Sequence, residues 1–481
     1  MLSKIIEQRR FSAQYHLLNH LSILSSKNSP THPKTTTTIE IMNIASLLQQ
    51  IIFVALILFA ARFAGRKFKN IYDIILSGKP ENRSDKPAER LRQMLLLAFG
   101  QKKMFRNLLP AILHFFIYAA FVITQIELIE IFIDGTFGIH RFFWNYIPLG
   151  AFYTFIISFI EILSVLALIA TIAFLARRNV LKIPRFWSKE MTKQPRNDAN
   201  LILLGETLLI IGIFTMNTAD MTLHHAEYNF AMSKFTMPLF QGLSETSLHL
   251  LERFGWWLHL SVVVGFICYL PQSKHLHILL AFPNSYFADL NTQPKGQMSH
   301  MPRIEQEIRL MLNPDAPAPA ADNNDAENLR FGAKDTQDLS WKSLLDAWSC
   351  TECGRCTAAC PANQTGKLLS PRKIMMDTRD RMEDKIQNIQ KHGKDYDDGK
   401  TLLHDYISVE ELRACTTCNA CVEECPVSIS PLNIITELRR HLILEESNSP
   451  EEWNLMFGNV ENNGAVWKMS PTDRDKWTSE V

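Results

Sequence analysis

The sequence lacks an excess of charge of either sign. Its 481 residues include 50 Lys and Arg against 49 Asp and Glu, which leaves a net charge of +1. Nucleic-acid affinity comes largely from clustered cations that neutralise phosphates, so this balance gives no electrostatic reason to expect such a partner. The basic residues stand beside apolar runs instead of forming one patch. We therefore expect no nucleic-acid binding.

The sequence patterns of several enzyme classes are also missing. We find no dinucleotide-binding glycine fingerprint after a strand, no nucleophile elbow and no phosphate-binding loop. We therefore expect any site that transforms a substrate to lie on another subunit.

Cysteine is scarce outside two short segments. Eight of the nine cysteines fall in these segments with fixed gaps of two and three residues, and the ninth, Cys268, lies in an apolar run. A disulfide framework suits a small secreted domain, which this chain does not resemble. The spacing indicates metal ligation in a reducing compartment, and Cys268 is expected to be a small buried hydrophobe.

Long apolar runs are present in the N-terminal half. Five of them reach the roughly 20 residues that an α-helix needs to cross a bilayer core of about 30 Å. Short buried helices of a soluble protein are the alternative, but five runs of this length with so few charges argue against it. We predict a five-helix transmembrane bundle over residues 42–282. Its helices are expected at about 43–63, 108–133, 147–176, 199–218 and 250–282.

The distribution of Lys and Arg predicts the orientation of these helices. The loop 64–107 holds eleven and the loop 177–198 holds seven, whereas the two other loops hold one each, Arg141 and Lys234. Cytoplasmic loops keep an excess of Lys and Arg. We therefore expect a multi-pass protein of the bacterial inner membrane, with its N-terminus outside and its C-terminal half in the cytoplasm.

Composition sets the remaining boundaries. Residues 1–41 have no apolar core long enough for a signal sequence, so we interpret them as a disordered extension from a misassigned start, with a transit peptide as the alternative. Residues 283–338 contain a Pro- and Ala-rich stretch and are expected to be a linker. A mostly helical domain over 339–445 and a C-terminal tail over 446–481 should follow.

The two cysteine segments share one pattern. CxxCxxCxxxCP runs from Cys350 to Pro361 and again from Cys415 to Pro426. In this pattern three thiolates surround one iron-sulfur cubane, and the Cys before Pro ligates the other cluster. Zinc, the alternative, uses two Cys pairs and does not require a third Cys or the repeated Cys-Pro. We predict two 4Fe-4S clusters, one held by Cys350, Cys353, Cys356 and Cys425, the other by Cys415, Cys418, Cys421 and Cys360.

Histidines in the apolar runs are costly to bury and are functional candidates. His114 lies near the start of the second run and His277 near the end of the fifth, so antiparallel helices would place both at one depth for a shared b-type haem. His259 precedes His277 by eighteen residues, which is five turns and about 27 Å on one continuous helix. The alternative is that each is an interfacial histidine, and His275 is the nearest rival of His277.

Two acids in the apolar runs are also functional candidates, and one position expected to carry a haem ligand lacks a histidine. Glu161 and Glu206, in the third and fourth runs, could each relay protons to a quinone, and a structural hydrogen bond between helices is the equal alternative. At the depth of His259 the second run offers Thr124 and no histidine. Four histidines near the outer face could supply the partner, with solvated loop histidines as the alternative: His224, His225, His140 and His249. A second haem is therefore left open.

The cysteine segments resemble a known family. Cys-Gly-Arg-Cys-Thr-Ala-Ala-Cys-Pro and Cys-Thr-Thr-Cys-Asn-Ala-Cys-Val-Glu-Glu-Cys-Pro are similar to the helical ferredoxin subunit of heterodisulfide reductases and related Fe-S oxidoreductases. The 54 residues between Cys360 and Cys415 exceed the spacer of small bacterial ferredoxins and favour this helical type. The resemblance implies a cytoplasmic, cysteine-rich catalytic subunit as partner.

The apolar half looks like the haem b subunit, or gamma chain, of respiratory nitrate reductase, most clearly in Pro271-Gln-Ser-Lys-His-Leu-His277. This resemblance implies that His277 and His114 hold the haem nearest the cytoplasmic partner. It matches His259 to a ligand of the outer haem, whose second ligand is replaced here by Thr124. The two resemblances together cover about residues 43–435.

Taken together, the resemblances imply an all-α chain, with a five-helix transmembrane bundle followed by a cytoplasmic ferredoxin-like domain. Its expected function is electron transfer between the quinone pool and a cytoplasmic oxidoreductase. A membrane-tethered redox sensor or assembly factor without sustained turnover is the alternative, and it would not need costly histidines and acids within the membrane.

Overall fold

A computed structural model of the protein describes residues 34–224, 230–290, 308–313 and 331–479. Within these ranges the chain is helical, with two isolated β-bridges and no strand. The all-α prediction is confirmed. The interpretation of the N-terminal extension falls, for residues 1–33, outside the described residues.

Five long helices correspond to the five predicted spans. Each is long and apolar enough to cross a membrane, which confirms the prediction of five candidate membrane-spanning helices. The first begins at Lys34, so residues 34–41 are helical. These helices are α1 Lys34–Leu76, α2 Leu108–Phe137, α3 Ala151–Asn179, α4 Lys193–His224 and α5 Glu245–Tyr269.

Shorter helices, joined by turns and loops, follow and separate these five. Those that position the candidate sites are α6 His277–Tyr286, α7 Trp341–Trp348, α8 Arg355–Ala359, α9 Pro371–His392, α10 Val409–Ala414, α11 Ala420–Glu424, α12 Pro431–Leu444 and α13 Glu451–Asn463. Four further short helices are Pro87–Met94, Phe142–Tyr146, Ser233–Thr236 and Pro361–Gln364.

The fifth apolar run is not one helix. After α5 ends at Tyr269, the chain makes two 3-10 turns, Leu270–Gln272 and Lys274–Leu276, before α6 begins at His277. Pro271 is the physical reason, because proline lacks the N–H of a helix interior and its ring clashes with a carbonyl one turn back. The prediction of a continuous helix to residue 282 is wrong. The five-turn spacing of His259 and His277 is wrong with it.

The chain forms two compact units. Among the described residues, the smaller unit comprises 34–56 and Ile129–Ile147. Within it the rings of Phe53 and Phe132 meet edge to face, with 5.8 Å between their centroids. Gly135 makes room for this contact, because a Cβ there would lie 2.7 Å from the Phe53 ring.

The larger unit comprises the remaining residues. In it α4 and α5 approach closely because each carries a glycine where they cross. A Cβ on Gly255 would lie 2.5 Å from the backbone nitrogen of Met216, and a Cβ on Gly212 would lie 3.0 Å from that of His259. Small residues at crossings are usual between membrane helices, since they let the backbones pack together.

The C-terminal domain, residues 331–479, has its apolar core between α7, α9 and α12. Leu344, Ile374 and Leu438 are fully buried there. Residues 331–338, which we assigned to the linker, pack on this domain: the N–H of Ala333 donates to the carbonyl of Glu437 at 3.0 Å. The tail assigned over 446–481 includes the helix α13.

A buried ion network fixes the start of this domain to α9. The Asp335 carboxylate accepts hydrogen bonds from Arg381 at 3.0 and 3.1 Å and pairs with Lys385 at 2.7 Å. Arg381 also pairs with Asp398. Burial opposes ionisation of Asp335, but Arg381 and Lys385 outweigh it and lower the pKa of the carboxyl.

We expect Asp335→Asn to destabilise the C-terminal domain by about 3 kcal/mol, because it leaves two buried cations without their shared partner. Since the folded pKa of Asp335 lies below its ordinary value, its stabilisation is complete above the ordinary pKa and is lost as the pH falls through the folded pKa. Thermal unfolding of the full chain in detergent, at neutral and acidic pH, measures both effects.

The matched control is Asp473→Asn, which breaks an exposed pair with Lys476. Exposed pairs contribute about 0–1 kcal/mol, so this variant should unfold close to the wild-type temperature. Equal unfolding temperatures for Asp335→Asn and the wild type would contradict the role given to the network.

Candidate functional site

The two cysteine segments have the same backbone. Two residues after the first Cys, φ is positive at Glu352 (53°) and at Thr417 (54°). Two residues later it is positive again, at Gly354 (72°) and Asn419 (61°). Gly and Asn are the residues that most readily adopt this left-handed conformation. The short helices α8 and α11 follow, so sequence spacing and local backbone repeat together.

One group of thiols combines both segments. The sulfur of Cys425 interacts electrostatically with those of Cys353 and Cys350, and Cys356 interacts with these three and, to a smaller extent, with Cys421. These four cysteines line one cavity together with Cys421 of the second segment. Its wall is completed by apolar side chains and by Thr351, Glu352, Gly354 and Arg372. The structure thus brings Cys425 of the second segment to the leading cysteines of the first.

The other group has the reciprocal composition, with three cysteines from the second segment and one from the first. Cys360, at the end of the first segment, interacts with Cys415 and Cys421, and both of these interact with Cys418. The exchange occurs because α8 and α11 pack against each other. Cys360 is buried, whereas Cys418 is exposed. The eight thiols therefore fall into two adjoining groups of four, between which Cys356 also interacts with Cys421.

The chemistry of both groups fits thiolate-bound iron-sulfur clusters. Burial raises the pKa of Cys350 to about 11 and that of Cys425 to about 12, so these thiols need a metal to ionise at neutral pH. Backbone N–H groups already face two sulfurs: Thr417 donates to Cys415 at 3.4 Å and Ile429 to Cys425 at 3.3 Å. Such amide contacts stabilise cluster sulfurs.

His114 and His277 lie close to each other and to the first thiol group. His114 interacts electrostatically with His277 and with Arg355, which stands between Cys353 and Cys356. Nδ1 of His114 is 3.1 Å from Oε1 of Gln101. Nδ1 of His277 is 2.9 Å from the carbonyl oxygen of Lys274.

The hydrogen bond to the Lys274 backbone carbonyl sets the tautomer of His277, and the same tautomer of His114 donates to Oε1 of Gln101. A carbonyl oxygen only accepts, so Nδ1 carries the proton and Nε2 is left to bind a metal. Burial also lowers the pKa of His277, which keeps the ring neutral. Ligand histidines usually donate their other nitrogen to a carbonyl in this way. Both rings can therefore offer Nε2 to a metal.

Two further histidines differ in their surroundings. The His275 ring lies 5.9 Å from His277, centroid to centroid, and burial, with a smaller effect of His277 and His114, lowers its pKa to about 3. His259 lies ten residues before the end of α5, roughly 15 Å along the helix. Its Nδ1 is 3.3 Å from the carbonyl oxygen of Leu209 on α4. The structure brings His275 to the pair and places His259 farther along α5.

The two membrane acids have different environments. Glu161 is 1% exposed and accepts hydrogen bonds from the N–H groups of Met232 (2.7 Å) and Ser233 (3.1 Å) and from the Ser233 hydroxyl. It therefore anchors the segment before Ser233–Thr236, as in the structural alternative. Glu206 accepts from the Thr171 hydroxyl at 3.2 Å through one oxygen. Its other oxygen keeps acceptor capacity.

Buried ions join the Lys- and Arg-rich loops to the C-terminal domain. Arg372 is 1% exposed and donates to the Arg185 carbonyl and the Glu190 carboxylate, both at 2.7 Å. Lys274 pairs with Glu352. The sequence reasoning missed these residues. For Glu352 and Lys274 the available signal was their place inside the segments that carry the resemblances, since Glu352 stands between two cysteines and Lys274 precedes the histidines.

Comparison with known proteins bears on the cysteine segments first. A family model for a 4Fe-4S dicluster domain matches residues 342–426. The chain contains a 4Fe-4S dicluster domain. A component of the ferredoxin/F(420)H(2)-dependent CoB-CoM heterodisulfide reductase of Methanosarcina acetivorans is 35% identical over 108 residues, 22% of this chain and 53% of that protein. The resemblance to Fe-S oxidoreductases is confirmed.

Two relatives match most of the chain. The probable iron-sulfur-binding oxidoreductase FadF of Bacillus subtilis is 26% identical over 435 residues, 84% of this chain and 57% of the relative. The EtfAB:quinone oxidoreductase of Syntrophomonas wolfei is 25% identical over 472 residues, 89% of this chain and 59% of the relative. The chain thus spans less than two thirds of either relative. No solved structure matches it. These relatives support electron transfer as the general function.

The exchange of the fourth cysteine predicts an unusual mutant phenotype. We expect Cys425→Ser to lose the same cluster as Cys353→Ser, although Cys425 belongs to the second segment. Iron and acid-labile sulfide should fall by roughly half in both variants. Electron paramagnetic resonance (EPR) spectra of the reduced proteins identify which cluster remains.

Cys418→Ser is the counterpart, because it should remove the other cluster, and Cys268→Ser should leave both. If the spectrum of Cys425→Ser matches that of Cys418→Ser instead of Cys353→Ser, the two groups are assigned wrongly.

Proposed function

We propose that this chain is the membrane-bound electron-transfer component of a quinone-linked oxidoreductase and exchanges electrons between the quinone pool and a cytoplasmic partner. The observation that carries the proposal is the electrostatic interaction of His114 with both His277 and Arg355, a residue of the first cysteine segment. It brings candidate haem ligands to a 4Fe-4S dicluster domain within a chain that has five candidate membrane spans. When bound, two 4Fe-4S clusters and a haem b supply one-electron carriers.

The residues that would hold these groups are the following. Cys350, Cys353, Cys356 and Cys425 hold one cluster, and Cys415, Cys418, Cys421 and Cys360 the other; His114 and His277 hold the haem through Nε2. The resemblance to the nitrate reductase gamma chain supports the histidine pair. His259 is a candidate ligand for a second haem.

The two thiol groups differ in their neighbours and in their exposure to solvent. The first group adjoins the histidines and the loop that carries Arg185. The second has Thr416, Thr417 and Cys418 exposed. We therefore place the cytoplasmic partner at Cys418, and the resemblance to heterodisulfide reductases supports a cysteine-rich catalytic subunit in that place.

The loop contacts support a cytoplasmic location for the C-terminal domain. Lys103, in the first Lys- and Arg-rich loop, donates to the hydroxyl of Ser428 at 3.2 Å. Arg372 pairs with Glu190 of the second such loop. The domain and both loops thus share one side of the membrane, which is the cytoplasmic side by the charge rule. The bacterial inner membrane is the location we propose.

Quinone is the proposed membrane partner. The name of the Syntrophomonas relative supports it. Reaction of a quinone with one-electron carriers moves protons as well as electrons, and Glu206 has a carboxylate oxygen left to accept one. We assign Glu206 the proton relay, and Glu161 the structural role that its hydrogen bonds already fill.

Removal of either histidine should remove the haem. We expect His114→Leu and His277→Leu each to abolish the b-type absorbance bands of the purified protein, because one axial ligand is lost. Iron bound as 4Fe-4S clusters should remain. His404→Gln, an exposed histidine paired with Glu446, is the control and should keep the full haem spectrum. A wild-type protein with clusters and no haem would favour the redox-sensor alternative.

Glu206 should control the rate of reduction by quinol. We expect Glu206→Gln to slow reduction of the haem by a quinol analogue about a hundredfold, since a positioned proton acceptor contributes at least that much. Reduction by dithionite, which needs no proton relay, should be unchanged. Stopped-flow absorbance measures both rates. Equal quinol rates in Glu206→Gln and the wild type would exclude the relay.

A further inference from the structure

Lys274 contacts both a candidate haem ligand and a cysteine segment. Its carbonyl oxygen lies 2.9 Å from Nδ1 of His277. Its ammonium nitrogen lies 2.5 Å from the carboxylate of Glu352, which stands between Cys350 and Cys353. The two partners of Lys274 are distant in sequence, so the residue joins two sites that fold from different parts of the chain.

The position of Lys274 is fixed on the membrane side. Asp198 of α4 accepts hydrogen bonds from the Tyr269 hydroxyl (2.6 Å), the Ser273 hydroxyl (2.7 Å) and the Lys274 N–H (3.1 Å). The Lys274 ammonium also donates to the Pro195 carbonyl at 2.7 Å. These contacts hold the turn after Pro271 on the end of α4.

Glu352 is equally fixed on the other side. It is 4% exposed and has a positive φ of 53°, a conformation that costs energy for a residue with a Cβ. Arg379 of α9 forms a second ion pair with its carboxylate. The strained turn of the first cysteine segment is therefore held by one cation from its own domain and one from the turn before His277.

His114 has a comparable connection to the cysteine segments, through Gln101 and Lys103. Gln101, whose Oε1 faces Nδ1 of His114, also has a positive φ, of 50°. Two residues later Lys103 donates to Ser428 at 3.2 Å and to the Val422 carbonyl at 3.4 Å, on either side of Cys425. Both histidines are thus held by elements that also touch the first thiol group.

We propose that Lys274 is a positioning residue that fixes His277 relative to the first cysteine group through its ion pair with Glu352. A change at Glu352, in the iron-sulfur domain, then alters the haem held by His277. This inference rests on the proposed function and deepens it, because it names the element that aligns the two electron carriers.

The physical reason lies in the two ends of Lys274. The hydrogen bond from Nδ1 to a carbonyl orients a ligand imidazole and tunes its basicity. If Glu352 loses its charge, the buried ammonium of Lys274 loses its closest partner and is left with the Pro195 carbonyl and the Asp198 carboxylate, both on the α4 side. Any shift of the Lys274 backbone then reaches the carbonyl that holds His277. A pair that only attached the two parts would affect stability and leave the haem unchanged.

The test compares Glu352→Gln, Lys274→Met and the double variant, purified as full chains in detergent. We expect both single variants to change the low-spin haem EPR signal and to shift the haem midpoint potential from the wild-type value. The double variant should resemble the more affected single variant, since both changes break one link. If the two single changes are opposite and sum in the double, Lys274 and Glu352 act only as independent charges and the inference fails.

Glu190→Gln is the matched control. It also removes a buried carboxylate between the same parts of the chain, but Glu190 pairs with Arg372 and contacts neither histidine. We expect its haem signal and potential to equal those of the wild type. A haem unchanged in Glu352→Gln overturns the inference and leaves the proposed function intact, whereas a wild-type protein without haem overturns the haem assignment itself.

Discussion

The exchange of the fourth cysteine between the two segments is the constraint on which the C-terminal domain depends. Cys360 and Cys425 must each reach the opposite group, so α8 and α11 have to pack together. The following helices reinforce this symmetry, because α9 and α12 both begin at a Ser-Pro pair in which Ser370 or Ser430 caps the helix. Core packing between α9 and α12 then holds both segments in place.

Around this exchange the chain buries charge that would be costly if unpaired. Arg372 and Glu352 lie at the boundary between the domain and the Lys- and Arg-rich loops, and each has partners on the other side. Removing one member of such a pair leaves an uncompensated buried charge. The boundary is therefore specific, and the cysteine segments have a fixed relation to the turn before α6.

The sequence was informative where the signal is local and silent where contacts join distant residues. Apolar length predicted five helices, and cysteine spacing predicted an iron-sulfur domain, because both patterns are read within short windows. Pro271 was a signal for a helix break, but the prediction gave more weight to the length of the apolar run around it and extended one helix across the proline. The pairing of Lys274 with Glu352 spans 78 residues, and no periodicity reports such a contact. The hydrogen bonds that satisfy Glu161 come from a separate segment in the same way.

The two cysteine segments differ in solvent exposure, and this difference determines where the protein is oxidised first in air. Oxidation of a cysteine follows its accessibility and its thiolate character. In the first segment Cys350 and Cys360 are buried, whereas Cys418 of the second segment is exposed beside the exposed Thr416 and Thr417. Oxygen and peroxide therefore reach the second segment first, so damage during aerobic handling begins there while the first segment, next to the membrane loops, is spared.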